Sequence, residues 1–333
     1  MKKQKWIVMV LLIMMAFIMA GCSGTDANSK KDEKYKVAVL LPGSMNDGGW
    51  STMGYKSAKA AAESIDAEFS YTETKSPQDA IDALTDFGER GFTIVFCHSF
   101  DYQDAAKKVA ADYPDTQFIT SGGTTMTENI TPIYVKSEQA SYLLGVMAAK
   151  MSTTKKVGII GSEEIPSITK TLKGFAQGVK DTNPSIETKL TYLGTSTDAG
   201  KGKEATIALI NNGCDFIFAS ANAAAQGVFQ AVDENKDKGV IGFGSYGRIT
   251  QKYPESFIAD MVSNYEPVFV ELAGKVVDDT FKPGVSYFAD IFNGGVNVYF
   301  NDKLPVSAEA KKAYDDAVAK FKTNSIKIDI GEY

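Results

Sequence analysis

The sequence predicts an α/β protein of two doubly wound lobes, each built on a mainly parallel sheet. From Lys36 onward, short runs rich in β-branched residues alternate with amphipathic stretches, which is the pattern of βαβ units. The same order of elements restarts near the middle of the chain. A length of 333 residues also suits two domains that each bury a core of their own.

The first half reads as three strands separated by two helices. Its opening run, Val37–Leu41, is continuously apolar, as is typical of a strand buried on both faces. Pro77 lies just inside the second helix and Gly91 just past it, the usual asymmetry of helix ends. The elements predicted here are a strand over 37–41, a helix over 51–64, a strand over 69–72, a helix from 76 or 77 to about 90, and a strand over 92–97.

The second half repeats this order after a helix predicted over 137–151. The stretches 83–96 and 208–218 both read as helix, glycine stop and apolar strand, at matching places in the two halves. Ligands of open parallel sheets bind outside the carboxyl ends of the strands, so the cleft between the lobes is the expected site. The elements predicted here are strands over 157–160, 188–193, 216–220 and 257–262, and helices over 167–180 and 203–212.

Composition excludes several classes of protein. With 44% hydrophobic and 23% charged residues, the chain is neither intrinsically disordered, nor collagen, nor a polytopic membrane protein. Beyond position 21 it carries 32 basic against 41 acidic residues, so we expect no nucleic-acid polymer as partner. One histidine and three cysteines cannot build most zinc sites, and we expect no metal and no cofactor. Cys97 and Cys214 are expected as buried free thiols.

The N-terminus has the features of a targeting segment. Residues 1–5 are basic, and the apolar run 6–20 is shorter than the roughly 20 residues of a membrane-spanning helix. Met19-Ala20-Gly21-Cys22 resembles the lipobox of bacterial lipoproteins, which implies that Cys22 is lipidated. The alternative is a plain signal peptide cleaved nearby. We therefore expect a signal peptide over 1–21, a polar tether over 22–34, and anchoring on the outer face of the cell membrane.

The loop after the first strand is the first candidate site. Asn46 and Asp47 supply hydrogen-bonding groups, Gly48 and Gly49 allow close approach of a ligand, and Trp50 offers a flat apolar face. In the alternative interpretation, the two polar residues cap the following helix and Trp50 packs against it.

The end of the third strand is the second candidate. Adjacent strand residues point to opposite faces, so Cys97 and His98 are poorly placed to act as nucleophile and base. No second histidine could assist a hydrolase. We expect instead a ligand-facing loop in which Ser99 donates a hydrogen bond and Phe100 stacks.

A glycine-rich loop over 242–247 formally matches the dinucleotide fingerprint G-x-G-x-x-G. Only about six residues separate it from Pro254, too few for the helix that would hold a pyrophosphate. We expect a strand-end loop that lines the cleft through Gly244 and Ser245. Three further candidates follow other strands: Asn222, Asn264 and Tyr265. Either asparagine could instead cap a helix.

These segments together resemble the basic membrane protein family, the substrate-binding lipoproteins of ABC importers that include purine nucleoside receptors. The resemblance is spread over almost the whole mature chain, and the order of the motifs is more specific than any one of them. The matching features are the lipobox, the 46–50 motif NDGGW, Ser99-Phe100, the helix segment 145–151, the strand VGIIG over 157–161 and the loop that begins at Gly242.

The resemblance implies a type I periplasmic-binding fold, with two lobes joined by three crossings and closing on a ligand. It implies lobe 1 over 35–143 and 263–285, and lobe 2 over 144–262 and 286–333. It also implies a monomer that binds a purine base or nucleoside by aromatic stacking and delivers it to a membrane permease. Asn46 and Asp47 would then select polar groups of the ligand.

Two departures from the family pattern bear on the ligand. Ser51 stands where nucleoside-binding members usually have Asn, and the 242–247 loop lacks the acid of their G-V-D-x-D-Q motif. Both favour a free base, or a different ligand, over a nucleoside. The scarcity of arginine favours a neutral ligand, because arginine is the residue that usually binds carboxylate and phosphate groups. The alternatives are a ligand sensor that signals to a membrane partner, and an extracytoplasmic enzyme acting through His98 or the glycine loop.

Overall fold

The structure, a computed structural model, describes residues 35–47 and 49–330. The predicted signal peptide and the tether with Cys22 lie outside these residues. The strands are β1 (Lys36–Leu41), β2 (Glu68–Glu73), β3 (Ile94–Cys97), β4 (Gln117–Ser121), β5 (Ile130–Val135), β6 (Lys156–Gly161), β7 (Glu187–Tyr192), β8 (Phe216–Ser220), β9 (Ile241–Ser245), β10 (Phe257–Ser263), β11 (Tyr287–Ala289) and β12 (Val296–Phe300). The α-helices are α1 (Trp50–Ser64), α2 (Pro77–Glu89), α3 (Gln103–Val109), α4 (Ser137–Met151), α5 (Pro166–Thr182), α6 (Ala199–Asn211), α7 (Ala225–Glu234), α8 (Ile249–Lys252), α9 (Glu266–Val277) and α10 (Ala308–Lys322).

The strands form two sheets with the same topology. The sheet of lobe 1 has the order β11-β5-β4-β3-β1-β2, and the sheet of lobe 2 has the order β12-β10-β9-β8-β6-β7. All pairs are parallel except β10 with β12, which is antiparallel. The chain turns back at β1/β3 in lobe 1 and at β6/β8 in lobe 2. These are topological switch points, where a crevice opens at the carboxyl ends of the strands.

The predicted two-sided burial of β1 is confirmed. Val37, Val39 and Leu41 pack into the cluster formed with α1 and α9, whereas Ala38 and Leu40 pack into the cluster on the opposite face of the sheet. Every one of these side chains is fully buried. The alternating neighbours fix the register of β1 at the centre of the sheet, and thereby the place where its carboxyl-terminal loop emerges.

Three connections cross between the lobes, and they lie several residues from the predicted boundaries. The chain leaves lobe 1 between β5 and α4, returns between β10 and α9, and leaves again between β11 and β12. The prediction divided α4 at 143/144, but Ala140, Leu144 and Met147 pack as one face into the core of lobe 2. It also assigned residues 286–333 to lobe 2, but β11 pairs with β5 in the sheet of lobe 1.

Most predicted elements have boundaries within two residues of the observed ones. The largest difference is at α6, predicted over 203–212, which begins at Ala199 because the side chain of Asp198 accepts a hydrogen bond from the amide of Lys201. The structure also adds β4, β5, β9, β11, β12, α3 and α7 to α10, for which the sequence analysis assigned no element. The expectation of a loop over 242–247 was wrong for residues 242–245, which form most of β9. The prediction of buried free thiols at Cys97 and Cys214 is confirmed.

Helices α4 and α5 of lobe 2 approach closely enough to require glycine at their contact. A Cβ atom on Gly178 would lie 2.1 Å from the carbonyl oxygen of Tyr142, and one on Gly145 would lie 2.2 Å from the carbonyl oxygen of Phe175. These obstacles are backbone atoms, which cannot rotate away. The two helices must therefore separate if either glycine gains a side chain.

We expect Gly178→Ala to lower the free energy of unfolding by about 1–2 kcal/mol, as measured by urea denaturation. Overpacking costs about 1–3 kcal/mol, and the better helix propensity of alanine offsets up to about 1 kcal/mol of it. Gly274→Ala in α9 is the matched control, because a Cβ atom there would meet nothing within 4 Å. It should stabilise the protein slightly, and equal effects of the two substitutions would contradict the close contact.

Candidate ligand-binding site

The candidate site in lobe 1 lies at the β1/β3 switch point. Trp50 begins α1 after the loop that follows β1, and His98 directly follows β3. The two strands are neighbours in the sheet, with Leu40 opposite Cys97, so their carboxyl ends emerge side by side. This adjacency brings together two residues that are 48 positions apart in the sequence.

Asp47 organises the first turn of α1. Its Oδ1 accepts hydrogen bonds from the amides of Gly49 (2.7 Å) and Thr52 (3.0 Å), and its Oδ2 accepts one from the amide of Ser51 (3.0 Å). Partial burial acts to raise the pKa of this carboxyl, but the hydrogen bonds prevail and lower it to about 2. Both oxygens of Asp47 are thus engaged at the start of α1, although Asp47, like Asn46, is exposed to solvent.

The indole of Trp50 has one face covered and is 39% exposed. The imidazole of His98 stacks on it with ring centroids 4.1 Å apart and planes 17° from parallel. The ring of Tyr265 makes an edge contact at 5.4 Å, and the indole Nε1 donates to the carbonyl oxygen of His98 at 2.8 Å. One face and the N–H of the indole are thus engaged within the fold, while more than a third of the residue remains exposed.

The side chain of His98 is fully buried, and both of its nitrogens have partners. Nδ1 lies 3.0 Å from Ser121 Oγ, and Nε2 lies 3.2 Å from the carbonyl oxygen of Trp50. Burial lowers the pKa of His98 to about 3, although the Trp50 carbonyl and the charge of Asp47 act in the opposite direction. The ring is therefore neutral at physiological pH, and it is enclosed rather than presented as a base.

The segment after β3 contributes one exposed ring. The Oγ of Ser99 accepts a hydrogen bond from the amide of Asp101 (3.3 Å) and caps the 3-10 turn Phe100–Tyr102. The ring of Phe100 is 54% exposed. Ser99 thus has a structural partner, whereas Phe100 and its neighbour Asp101 are exposed.

In lobe 2, two of the predicted residues lie inside the fold. Ser245 is buried and its Oγ donates to the carbonyl oxygen of Ala219 at 2.8 Å. A Cβ atom on Gly244 would lie 2.1 Å from Oδ1 of Asp260, so the glycine makes room for that carboxylate. Asn222 is exposed and begins a 3-10 turn with a positive φ of 49°.

The second crossing contains the last two predicted residues. Asn264 Oδ1 accepts from the amide of Glu266 (3.1 Å), the first residue of α9, but the N-cap position is occupied by Tyr265, so Asn264 does not cap the helix. Tyr265 is buried, and its ring contacts those of Trp50 and His98 in nearly perpendicular arrangements. Tyr265 therefore supports the indole from within the fold.

Sequence analysis missed two residues near the lobe 2 switch point. Tyr246 is 52% exposed, and its hydroxyl lies 2.9 Å from Ser220 Oγ at the end of β8. The hydroxyl of Ser162, directly after β6, is buried without a hydrogen-bond partner among the described residues. The aromatic residue inside the glycine-rich loop was the available signal for Tyr246. Ser162 gave no such signal, because its position depends on the neighbouring strand.

The arginine nearest to this region is already engaged. Arg248 Nε lies 3.4 Å from Oδ2 of the buried Asp260, and its guanidinium carbon lies 4.2 Å from the centre of the Tyr299 ring. Thr250 donates to the same carboxylate through its amide (3.0 Å) and hydroxyl (2.5 Å). Arg248 thus has a structural role at the end of β9. Among the described residues, no cluster of side chains suited to a metal ion is found.

Comparison with known proteins decides the family. The profile of the Bmp family, described as "ABC transporter substrate-binding protein PnrA-like", matches residues 34–331. The chain belongs to the Bmp family. The resemblance to the basic membrane protein family is thereby confirmed. The expected role of the chain as an ABC transporter substrate-binding protein is confirmed as well. Membership implies an extracytoplasmic location and a family of binding proteins rather than enzymes.

Three curated proteins illustrate the range of Bmp relatives. A purine-binding protein of Brucella abortus is 26% identical, with 82% of this chain and 76% of the relative covered. The ABC transporter nucleoside-binding protein BmpA of Lactococcus lactis is 26% identical, with 98% and 97% covered. The transcriptional activator protein med of Bacillus subtilis is also 26% identical, with 87% and 89% covered.

The solved structures confirm the fold expected for a Bmp protein. An ABC transporter solute-binding protein of Conexibacter woesei superposes with a TM-score of 0.73 at 22% identity, covering 90% of this chain and 100% of that one. The two parallel-sheet lobes are thus those of the periplasmic-binding proteins. In the part of the Bmp chain that the structure describes, no helix combines the length and apolar character needed to cross a membrane.

Proposed function

We propose that this Bmp protein captures a small, neutral, flat molecule, a purine base or nucleoside, and presents it to a membrane permease. One observation carries the proposal: the partly uncovered indole of Trp50 at the β1/β3 switch point, backed by a buried ring. A flat heterocycle can stack on such a face, which contributes about 0.5–1.5 kcal/mol beyond the burial of area. Relatives named for purine and nucleoside binding support this class of ligand.

The state of the nearby charges supports a neutral ligand. Asp47 accepts from four donors, three in the first turn of α1 and one on Gly49 just before it, and they include the hydroxyl of Thr52. Arg248 and Asp260 are engaged with each other, and Asp260 is fully buried. A charged ligand would need a free counter-charge, because an unpaired charge loses its hydration on entering a closed cleft.

Within the purines, the free base is the favoured ligand. A ribose would be recognised best by a carboxylate that accepts from its two hydroxyls. The 242–247 loop has no acid, and the aromatic side chain of Tyr246 is exposed there instead. Polar atoms for the base edge are available on Asn46 and Asn222, which are exposed at the carboxyl ends of β1 and β8.

Attachment to the membrane is part of the proposal. Cys22, the cysteine of the lipobox-like segment, would carry the acyl chains, and residues 23–34 would form the tether. Stable anchoring takes more than one chain, at about 0.8 kcal/mol for each buried methylene group. The receptor would then stay close to its permease and act as a monomer.

One relative favours a second candidate function. The similarity to a transcriptional activator over 87% of this chain supports a ligand sensor of the same fold, which would signal to a membrane partner. Both functions use the same cleft. Genes for an ATPase and a permease beside the gene of this protein would favour transport, and their absence together with a neighbouring receptor gene would favour sensing.

Ligand release followed by titration tests the proposal. The purified full chain is denatured, and the small molecules set free are identified by mass spectrometry. We expect a purine, and we expect the refolded protein to bind adenine or guanine more tightly than adenosine in calorimetry. Release of a sugar or an amino acid, with no heat from any purine, would overturn the proposed ligand class.

A further inference from the structure

We propose that His98 is a positioning residue that holds the indole of Trp50 in one orientation, and that Ser121 and Tyr265 connect this pair to the second crossing between the lobes. The role as support for a ligand-binding face rests on the proposed function. The geometry itself does not depend on which ligand the protein takes.

Trp50 and His98 contact each other at three points. The rings stack at 4.1 Å, the indole N–H donates to the carbonyl of His98 (2.8 Å), and the imidazole Nε2 lies 3.2 Å from the carbonyl of Trp50. Each residue thus bonds the backbone of the other through its ring. This reciprocal arrangement fixes both the tilt and the in-plane rotation of the indole, whereas stacking alone would allow the ring to slide.

The partners of the imidazole select one tautomer. The carbonyl oxygen of Trp50 can only accept, so Nε2 must carry the proton and donate. Nδ1 is then an acceptor, and the hydroxyl of Ser121 donates to it. The result is a chain with one direction, from Ser121 through His98 to Trp50, and Tyr265 joins it through the contacts of its ring with both rings of the pair.

Local packing leaves room for this arrangement. A Cβ atom on Gly54, in the second turn of α1, would lie 2.3 Å from Cδ2 of His98, so the imidazole lies directly against the helix backbone. The ring of Tyr265 is nearly perpendicular to both rings, with its centroid 4.9 Å from that of His98 and 5.4 Å from that of Trp50. Tyr265 also stands between β10 of lobe 2 and α9 of lobe 1. The crossing and the exposed indole are therefore parts of one packed unit.

Time-resolved fluorescence anisotropy of Trp50 tests the proposal without a ligand. The full chain has two tryptophans, Trp6 and Trp50, so Trp6→Phe leaves Trp50 as the only tryptophan. In this background we expect a slow decay that follows tumbling of the whole protein. His98→Gln keeps a hydrogen-bond donor but removes the stacking face, and it should add a fast component on the picosecond to nanosecond scale.

Two further variants separate positioning from general damage. Phe87→Leu removes part of another buried ring of lobe 1, in the cluster on the opposite face of the sheet, and should leave the anisotropy unchanged. Ser121→Ala removes the partner of Nδ1 but keeps the stacked rings, and should add a smaller fast component even if His98→Gln fails to fold. An indole that stays immobile in a folded His98→Gln or in Ser121→Ala would overturn the proposal.

A binding measurement then relates the positioning to the ligand. With adenine as probe, we expect His98→Gln to weaken binding up to about tenfold, because an indole that is no longer held in one orientation must be ordered when the ligand stacks on it. Phe87→Leu should bind adenine like the parent. If the parent itself does not bind adenine, the proposed function fails, while the anisotropy result still decides the role of His98.

Discussion

Trp50→Ala is expected to weaken ligand binding at least 30-fold while the protein stays folded. Truncating a tryptophan at the centre of a binding surface typically costs about 2 kcal/mol or more, which corresponds to this factor. The effect should exceed that of Phe100→Ala, because the ring of Phe100 is 54% exposed, whereas Trp50 is held on its covered face by His98. Calorimetric titration with the purine identified by mass spectrometry measures the loss.

The matched control for this substitution is Tyr71→Ala. Tyr71 is likewise a partly exposed aromatic residue, and its ring makes an edge contact with Tyr55 of α1 at 5.1 Å. It lies within β2 at the edge of the sheet, away from the switch point. We expect unchanged affinity for Tyr71→Ala. Equal affinities of Trp50→Ala and the parent, with the folds intact, would remove Trp50 from the site.

Much of the fold could be predicted because its signals are local. The apolar run Val37–Leu41 required burial on both faces, and each of its side chains is fully buried. Pro77 begins α2, and Gly91 follows it with a positive φ of 68°. No local signal in the sequence marks the lobe boundaries. They depend on β11 pairing with β5, a partner more than 150 residues earlier in the chain.

The candidate site was predictable only in part. The position of Trp50 at a strand end followed from the sequence, and its partial exposure agrees with a ligand-facing ring. Its support by His98 required the order of β1 and β3 in the sheet, which no local pattern gives. Gly244 looked like a residue that lines the cleft. Its neighbour across the sheet is Asp260 of β10, whose carboxylate fills the space instead.

Acid is expected to destabilise the protein through His98 over a defined range of pH. The folded state holds this side chain neutral with a pKa of about 3, against an ordinary value of 6.5, because burial disfavours the charged form. Below pH 6.5 the unfolded chain takes up a proton that the folded protein does not bind until pH falls to about 3. At about 1.4 kcal/mol per pH unit, the contribution of His98 to the free energy of unfolding falls by about 4–5 kcal/mol across this range.

His98→Phe isolates this contribution, since it keeps a ring beside Trp50 but cannot titrate. The charged group that faces His98 is Asp47, which stays ionised down to about pH 2, and the hydroxyl of Tyr265 has a pKa raised by burial, so neither titrates in the range. Urea denaturation at intervals from pH 7 to pH 4 should therefore show a steeper fall of the unfolding free energy in the parent than in the variant. The difference should reach about 3 kcal/mol at pH 4, because the folded protein takes up almost no proton above its pKa. Parallel curves would mean that the imidazole is accessible to protons in the folded state, and hence that it is not enclosed beneath the indole.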